Sequence, residues 1–298
     1  MAHGFTAVDL SRLPSPNVVE TLDYEAIFSD MLEDLQKRDP VFKALLESDP
    51  AYKILEIAAY RELLLRQRVN EAARGVMLAY ATGADLDNLG ALLGVVRKTL
   101  LAGDPKAVPP VLPVLENDDD LRRRIQLAPE GFSTAGPAGA YVFYALTVDG
   151  VADASVRSPA PGEVEVTILS RSGNGTADTA LLQGVQDILS SDEIRPLTDK
   201  VAVRSATIHE YDINATLYFH PGPGREQALE QARKAIAAVV ARPRRLGLDV
   251  TLSELYAALH QPGVQRVELS SPQQTITVSA GAAAWCQSIN LKDGGVDA

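Results

Sequence analysis

Residues Asp49 to Gly94 read DPAYKILEIAAYRELLLRQRVNEAARGVMLAYATGADLDNLGALLG, and the rest of the chain is organised around them. Asp49-Pro50 is a helix start, a capping acceptor followed by a proline where no donor is needed. No proline or glycine follows until Gly75, and Gly83 is the expected C-terminal stop. A helix of that extent is about 45–50 Å long at 1.5 Å per residue, more than a small domain needs. Ile54, Ala58, Leu65, Val69, Ala72 and Val76 form one apolar stripe at helical spacing. Leu55, Ala59, Ala73 and Met77 widen it, while Ile57, Tyr60, Leu64 and Leu78 lie on other sides. Between them, Glu62 and Arg66 at i,i+4 and Arg68 and Glu71 at i,i+3 are spaced to pair locally. A surface helix shows one apolar stripe and one polar face. This helix is apolar on several sides, which leaves two readings open: burial between layers of its own domain, or burial between subunits.

Working outward, the chain of 298 residues is long enough for two or three domains. With 46% hydrophobic and 22% charged residues it has the composition of a globular protein. A net charge of −11 argues against nucleic acid as a partner, since affinity there comes from neutralising phosphates. The basic cluster Arg242-Pro243-Arg244-Arg245 is expected to be a solvated helix end interacting with the dipole. The single cysteine, Cys286, cannot form an internal disulfide. The N-terminal residues lack a signal-peptide pattern, and no apolar run reaches the length of a membrane span. A cytoplasm-like compartment until assembly is therefore expected.

The pattern implies an α+β multidomain fold: an N-terminal helical domain with one long helix, followed by two small related α+β modules. Residues 1–20 read as an extended arm and 21–96 as the helical domain, with Asp23 capping its first helix and Asp39-Pro40 opening a short one. Residues 97–115, with Pro105, Pro109, Pro110 and Pro113, read as a stiff extended linker and a hinge. Residues 116–206 are the first module: a helix from Leu121 to Ala128, a helix after Gly136-Pro137, strands Val151–Arg157 and Glu163–Leu169, a helix over 177–190 and a returning strand Lys200–Ser205. Residues 207–280 are the second: strand Ile208–Phe219, helix Glu226–Val240, a helix capped by Ser253 and strand Val264–Leu269. Residues 281–298 read as a tail. YALTVDGVADASVRSP from Tyr144 and YAALHQPGVQRVELSSP from Tyr256 share a Tyr-bearing helix that turns through Gly-Val into a strand ending in Ser-Pro, a weak internal repeat.

A search for chemistry finds no catalytic, cofactor or metal site. His3, His209, His220 and His260 have no zinc spacing to one another or to Cys286. Asp118–Asp120 fit a helix N-terminus better than a metal. Gly173-Asn174-Gly175-Thr176 lacks the P-loop lysine and reads as a turn.

A resemblance adds to this reading. Tyr60-Arg61-Glu62, Arg66 through Arg74, Gly83 through Asp87, Leu89-Gly90 and Arg97 carry it in the helical part. Glu116, Asp118–Asp120, Arg122, Arg124-Ile125 and Gly139-Ala140-Tyr141 continue it, followed by Arg195-Pro196, Asp199-Lys200-Val201, Ile213–Tyr218, Pro221-Gly222-Pro223, Tyr256–His260 and Gly263–Leu269. In this order they resemble the baseplate J-like family, the wedge proteins of contractile phage tails and R-type bacteriocins. Pro129, after the Arg-Ile helix, departs from the pattern by ending or kinking that helix, and residues 279–298 match little. The resemblance implies a structural protein without catalytic residues, assembled with a second copy and a smaller wedge protein. It further implies contacts with neighbouring wedges, hub and spike, sheath and tail fibres, and a rearrangement that triggers sheath contraction. Its place would be the tail baseplate of a particle assembled in the bacterial cytoplasm. The partner face is expected on Ile54, Ala58, Leu65, Val69, Ala72 and Val76. An adaptor of a related contractile secretion system and a tail-associated enzyme are the alternatives.

Overall fold

Apolar residues three and four apart begin the first described helix, α1, Tyr24–Arg38. The computed structural model describes Leu10, Leu13, Pro14, Pro16 and residues 18–133, 136–242 and 244–296, so most of the expected arm lies outside it. Asp23 caps α1, accepting from the Glu25 and Ala26 N–H groups at 2.9 and 3.3 Å. After a 3₁₀ turn, Pro40–Ala44, helix α2 runs Pro50–Gly75. At 26 residues it is about 39 Å long, shorter than expected. Asp49 stands at its N-cap position, but its carboxylate accepts from the Leu46 N–H at 2.8 Å instead of capping α2.

The early end of α2 at Gly75 is accommodated by a side chain distant in sequence. Beyond it, the carbonyls of Leu78 and Ala81 accept from Arg122 at 2.8 Å each, so this backbone is satisfied without continuing the helix. Gly83, at φ +52°, opens helix α3, Gly83–Ala91, instead of closing α2. The Gly83 N–H donates to Asp118 at 3.2 Å. Helix α4, Asp118–Gly131, starts on the acidic run. It continues two residues past Pro129, which stands in its last turn, where the missing donor costs one hydrogen bond and does not break the helix.

Ala7–Arg97 and Asn117–Ile125 group as a helical unit, and Lys98–Glu116 with Gln126–Ala298 as an α+β unit. Residues 97–115 are not a stiff extended linker. Strands β1, Thr99–Leu101, and β2, Val114–Leu115, pair antiparallel, and Asp104 and Val111 exchange N–H donors at 2.9 Å further up. A Cβ at Gly103 would lie 2.5 Å from the Val111 carbonyl, so the hairpin closes only with glycine there.

The first module comprises α5 (Ala138–Thr147), β3 (Val151–Arg157), β4 (Glu163–Ser170), α6 (Thr179–Leu189) and β5 (Lys200–Ser205). Its sheet has the order β3-β4-β5, with β3 antiparallel and β5 parallel to the central strand. Tyr141, Ala145, Val166, Ile168, Val185 and Leu189 fill the space between helices and sheet. The second comprises β6 (Thr207–Phe219), α7 (Arg225–Val240), α8 (Leu252–Leu259), β7 (Val264–Ser271) and β8 (Ala282–Val296). Its order is β7-β6-β8, again antiparallel on one side and parallel on the other. Helix α8 is capped by Thr251, which accepts from the Glu254 N–H at 3.3 Å, not by Ser253. Residues 282–296 are no tail: they pair along the whole length of β6.

The two sheets therefore share one pairing pattern, a central strand with one antiparallel and one parallel neighbour, reached by different chain orders. Matching by pairing, β4 corresponds to β6, β3 to β7 and β5 to β8. The first module runs helix, edge strand, centre strand, helix, edge strand; the second starts at its centre strand and reaches the equivalent of α5-β3 only as α8-β7. The turns that carry the sequence repeat, at Gly150 (φ +90°) and Gly263 (φ +95°), lie at matching places, between helix and antiparallel edge strand.

Candidate partner interface

Within the helical unit, α1 decides which side of α2 is buried. Ile27, Phe28 and Ala59 are buried, and Tyr24, Met31, Leu32, Tyr52, Leu55 and Leu63 pack around them. The Phe28 and Tyr52 ring centroids are 4.9 Å apart. Further along the same side, buried Asn70 accepts from the Glu20 N–H at 3.0 Å and donates to the Glu20 carbonyl at 2.9 Å. That pair ties the chain entering α1 to α2, and Tyr80 holds the Leu13 and Pro14 carbonyls at 3.1 and 3.0 Å.

The predicted stripe lies on a different side, about 120° round the helix at 100° per residue. Ile54 is 67% exposed, Leu65 66%, Val69 59% and Val76 71%. Ala72 is exposed and Ala58 half-buried. Ile57, Tyr60 and Leu64, read from sequence as lying on other sides, are exposed as well. Of the residues thought to widen the stripe, Leu55 and Ala59 belong to the α1 side instead. Arg61, Leu64, Leu65, Gln67, Arg68 and Glu71 line an open groove of about 430 Å³ on this face. Of the two expected ion pairs, Glu62–Arg66 forms at 2.5 Å; Glu71 instead accepts from Gln67 at 2.8 Å, leaving Arg68 aside.

The polar groups singled out in the sequence are engaged in building the fold. Asp118 accepts from Arg97 at 2.7 Å, and Arg97 also reaches Asp87 at 2.7 Å. Burial acts to raise the Asp118 pKa, but the bonds from Arg97 and the Gly83 N–H with the Arg97 and Arg122 charges hold it below its ordinary value. Asp119 pairs with Arg122 at 2.7 Å, and buried Asp120 accepts from Asn117 at 3.2 Å. Three neighbouring carboxylates thus serve three different contacts. Among the described residues no group of three or more His, Cys, Asp or Glu is placed to hold a metal ion.

Of the basic cluster, Arg242 is exposed just past the end of α7 and pairs with Glu254, whereas Arg244 and Arg245 are not solvated helix-end groups. Pro243 lies outside the described residues. Arg244 stacks on the Trp285 ring at 4.5 Å and donates to the Arg171 carbonyl at 3.4 Å, and burial lowers its pKa. Arg245 donates to the Ala152 carbonyl at 3.3 Å, and the Leu246 N–H to the buried Asp153 carboxylate at 2.9 Å. These bonds staple the second module to the first over a small core of Leu169, Ala206 and Ala283. The Gly173–Thr176 turn belongs to the same junction. A Cβ at Gly175, φ +106°, would lie 2.7 Å from Leu169 Cδ1 and 3.1 Å from Arg244 Nη1.

A cavity of about 210 Å³ in the second module is lined in part by Tyr211, Arg242, Arg244, Trp285 and Cys286. Burial, then the charges of Cys286 and Glu254, push the Tyr211 hydroxyl up to about 12. Burial followed by Asp212 raises the Cys286 thiol, outweighing hydrogen bonds that act to lower it. Both groups are held neutral, the opposite of what an activated nucleophile needs.

Two permuted α+β modules together with a helical unit whose long helix keeps an uncovered apolar face define a multidomain chain with a surface suited to other proteins. The chain belongs to the baseplate J-like family. It matches the baseplate J-like N-terminal domain over residues 47–104, the central domain over 133–205 and the C-terminal domain over 211–292. The last match reaches into β8, which the sequence reading had set aside as a tail. Baseplate protein J of Escherichia phage P2 is 46% identical over 298 residues, covering 97% of this chain and 99% of that protein. A chain in the cryo-EM structure of the anti-feeding prophage baseplate is similar over 59% of this chain and 44% of its own. Its identity is 14% and its TM-score 0.39, too low to carry an argument.

Proposed function

We propose that this chain is a structural component of a contractile-tail baseplate, and that within it the chain is a wedge protein. In this reading α2 joins helices of a second copy and of a smaller wedge protein in a shared bundle. The bundles connect around the central hub, and their contacts change when the sheath contracts. The observation that carries the reading is the exposed stripe Ile54, Leu65, Val69 and Val76 on a helix whose other side is already committed to α1. Monomers rarely leave so contiguous an apolar face in water, and obligate interfaces are apolar in this way. Family membership supports the baseplate setting and a structural role. Among the described residues no helix is long and apolar enough to cross a membrane.

The test is co-expression with the small protein encoded beside it, with the mass of the purified complex measured by light scattering. Two copies of this chain with one of the partner is the expected result. A stable lone monomer that ignores its neighbour would overturn the wedge reading.

A further inference from the structure

From the pattern of charge along α2 we infer that the helix packed on its open face is acidic, belongs to a different chain, and carries carboxylates seven residues apart. The inference rests on the reading of α2 as a helix shared between chains. Ile54, Ala58, Arg61, Leu65, Arg68 and Ala72 alternate at spacings of four and three, the seam of a left-handed helix pair. Arg61, Leu64, Leu65 and Arg68 stand at i, i+3, i+4 and i+7, the four corners of a hole that receives one side chain from a facing helix. They line the open groove on this side. An arginine thus bounds the hole at either end, in the middle of an otherwise apolar stripe.

The other charges between Lys53 and Glu71 are satisfied within the chain. Lys53 pairs with Glu56 at 3.0 Å, Arg66 with Glu62 at 2.5 Å and Glu20 at 3.3 Å, and Glu71 accepts from Gln67. Arg61 and Arg68 alone on this stretch have no hydrogen bond or ion pair among the described residues. Covering the groove with an apolar helix would strip water from two guanidinium groups and leave beside them only Glu71, which already accepts from Gln67. Carboxylates at the facing positions remove that cost and fix the register.

The same arginines disfavour a direct pair of α2 helices. Parallel pairing in register would set Arg61 against Arg61 and Arg68 against Arg68. Antiparallel pairing would bring the same groups into neighbouring layers of the seam, again without an acid between them. A second copy therefore enters the bundle through the acidic helix of the other chain and not by α2 lying on α2.

The experiment uses the full chain with the product of the adjacent gene, and reads the dissociation constant at two salt concentrations. The double variant Arg61→Glu with Arg68→Glu is expected to weaken the complex about tenfold or more, and Arg61→Gln with Arg68→Gln by less. The wild-type complex should loosen with salt more steeply than the Gln variant's. The chain with Arg61→Leu and Arg68→Leu, measured alone by light scattering, should self-associate where the wild type does not. If Leu65→Asp abolishes the complex but charge reversal leaves it within twofold, the acidic helix is wrong and the shared-helix reading stands. If Leu65→Asp leaves the complex intact, both fall. A Leu variant that stays as monomeric as the wild type would overturn the exclusion of α2–α2 pairing.

Discussion

Helix α2 and strand β6 each form the centre of their part of the molecule, and they dispose of their apolar residues in opposite ways. Along β6, Ile213, Ala215, Leu217 and Phe219 alternate inward and all four are buried. They are covered by Ala228, Ala232 and Ile236 of α7 and by Leu255 and Leu259 of α8. Of the 26 residues of α2, only Ala59 and Asn70 are buried, and Ile54, Ile57 and Leu65 are each more than three-fifths exposed, at 67%, 63% and 66%. The module completes its core from its own sequence. The helix has apolar surface left over, and that surplus is the physical content of the assembly hypothesis.

The sharpest way to break this contrast is a pair of substitutions. Leu217→Ala empties a fully buried site between sheet and helices and is expected to cost about 2–5 kcal/mol, read as a lower denaturant midpoint. Leu65→Asp, on a residue already in water, should leave the midpoint of the lone chain within about 0.5 kcal/mol. It should nonetheless abolish co-purification with the partner. If Leu65→Asp destabilises the chain as much as Leu217→Ala does, α2 is an internal helix and the contrast is false.

Asn70 is the exception on α2, and it sharpens the comparison. It is buried, yet it holds both backbone groups of Glu20. Asn70→Ala leaves a donor and an acceptor without partners, for an expected loss of about 1–3 kcal/mol. Hydrogen exchange should show the loss as faster exchange at the Glu20 amide.

Acid should also weaken the helical unit through Asp118. The Asp118 carboxyl is held below its ordinary value in the folded chain. A carboxyl of this kind contributes stability that is present above its unfolded value and is lost as pH falls through the folded one. Thermal stability should therefore drop as pH is lowered below about 4. Asp118→Asn, which gives up that contribution at neutral pH, should flatten this part of the pH profile. An unchanged slope in the variant would remove Asp118 from the account.

How much of this could be read in advance follows the same division between local and non-local causes. Strands β3 and β5, the Asp23 cap and the helix–Gly–strand repeat are set by residues within a few positions of each other, and they were legible. Strand β8 was not, because Ala282–Ala284, Lys292, Asp293 and Gly294-Gly295 give no alternating pattern; its partner is β6, some seventy-five residues earlier. The prolines of residues 97–115 hid a hairpin whose closure depends on Gly103 fitting under the Val111 carbonyl. The permuted order of the second module could not appear in any local window. On α2 the surplus of apolar faces was visible, but only α1 could decide that Leu55 and Ala59 turn inward while Leu65 and Val69 stay in water.

Two glycines in helices carry the comparison down to its smallest expected effect. In α6, nothing lies within 4 Å of a Cβ built on Gly184, so Gly184→Ala should stabilise the first module by about 0.5–1 kcal/mol through helix propensity and a less free unfolded chain. In α3, a Cβ on Gly90 would lie 2.7 Å from the Val95 carbonyl and 3.1 Å from Ile125 Cδ1. The carbonyl is backbone and cannot swing away, so the steric cost there should exceed the propensity gain and reverse the sign. Paired melts of the two variants separate the cases. A helical unit loose enough to absorb the methyl group would make Gly90→Ala neutral, and the close packing of α3 against α4 would then be less rigid than these distances imply.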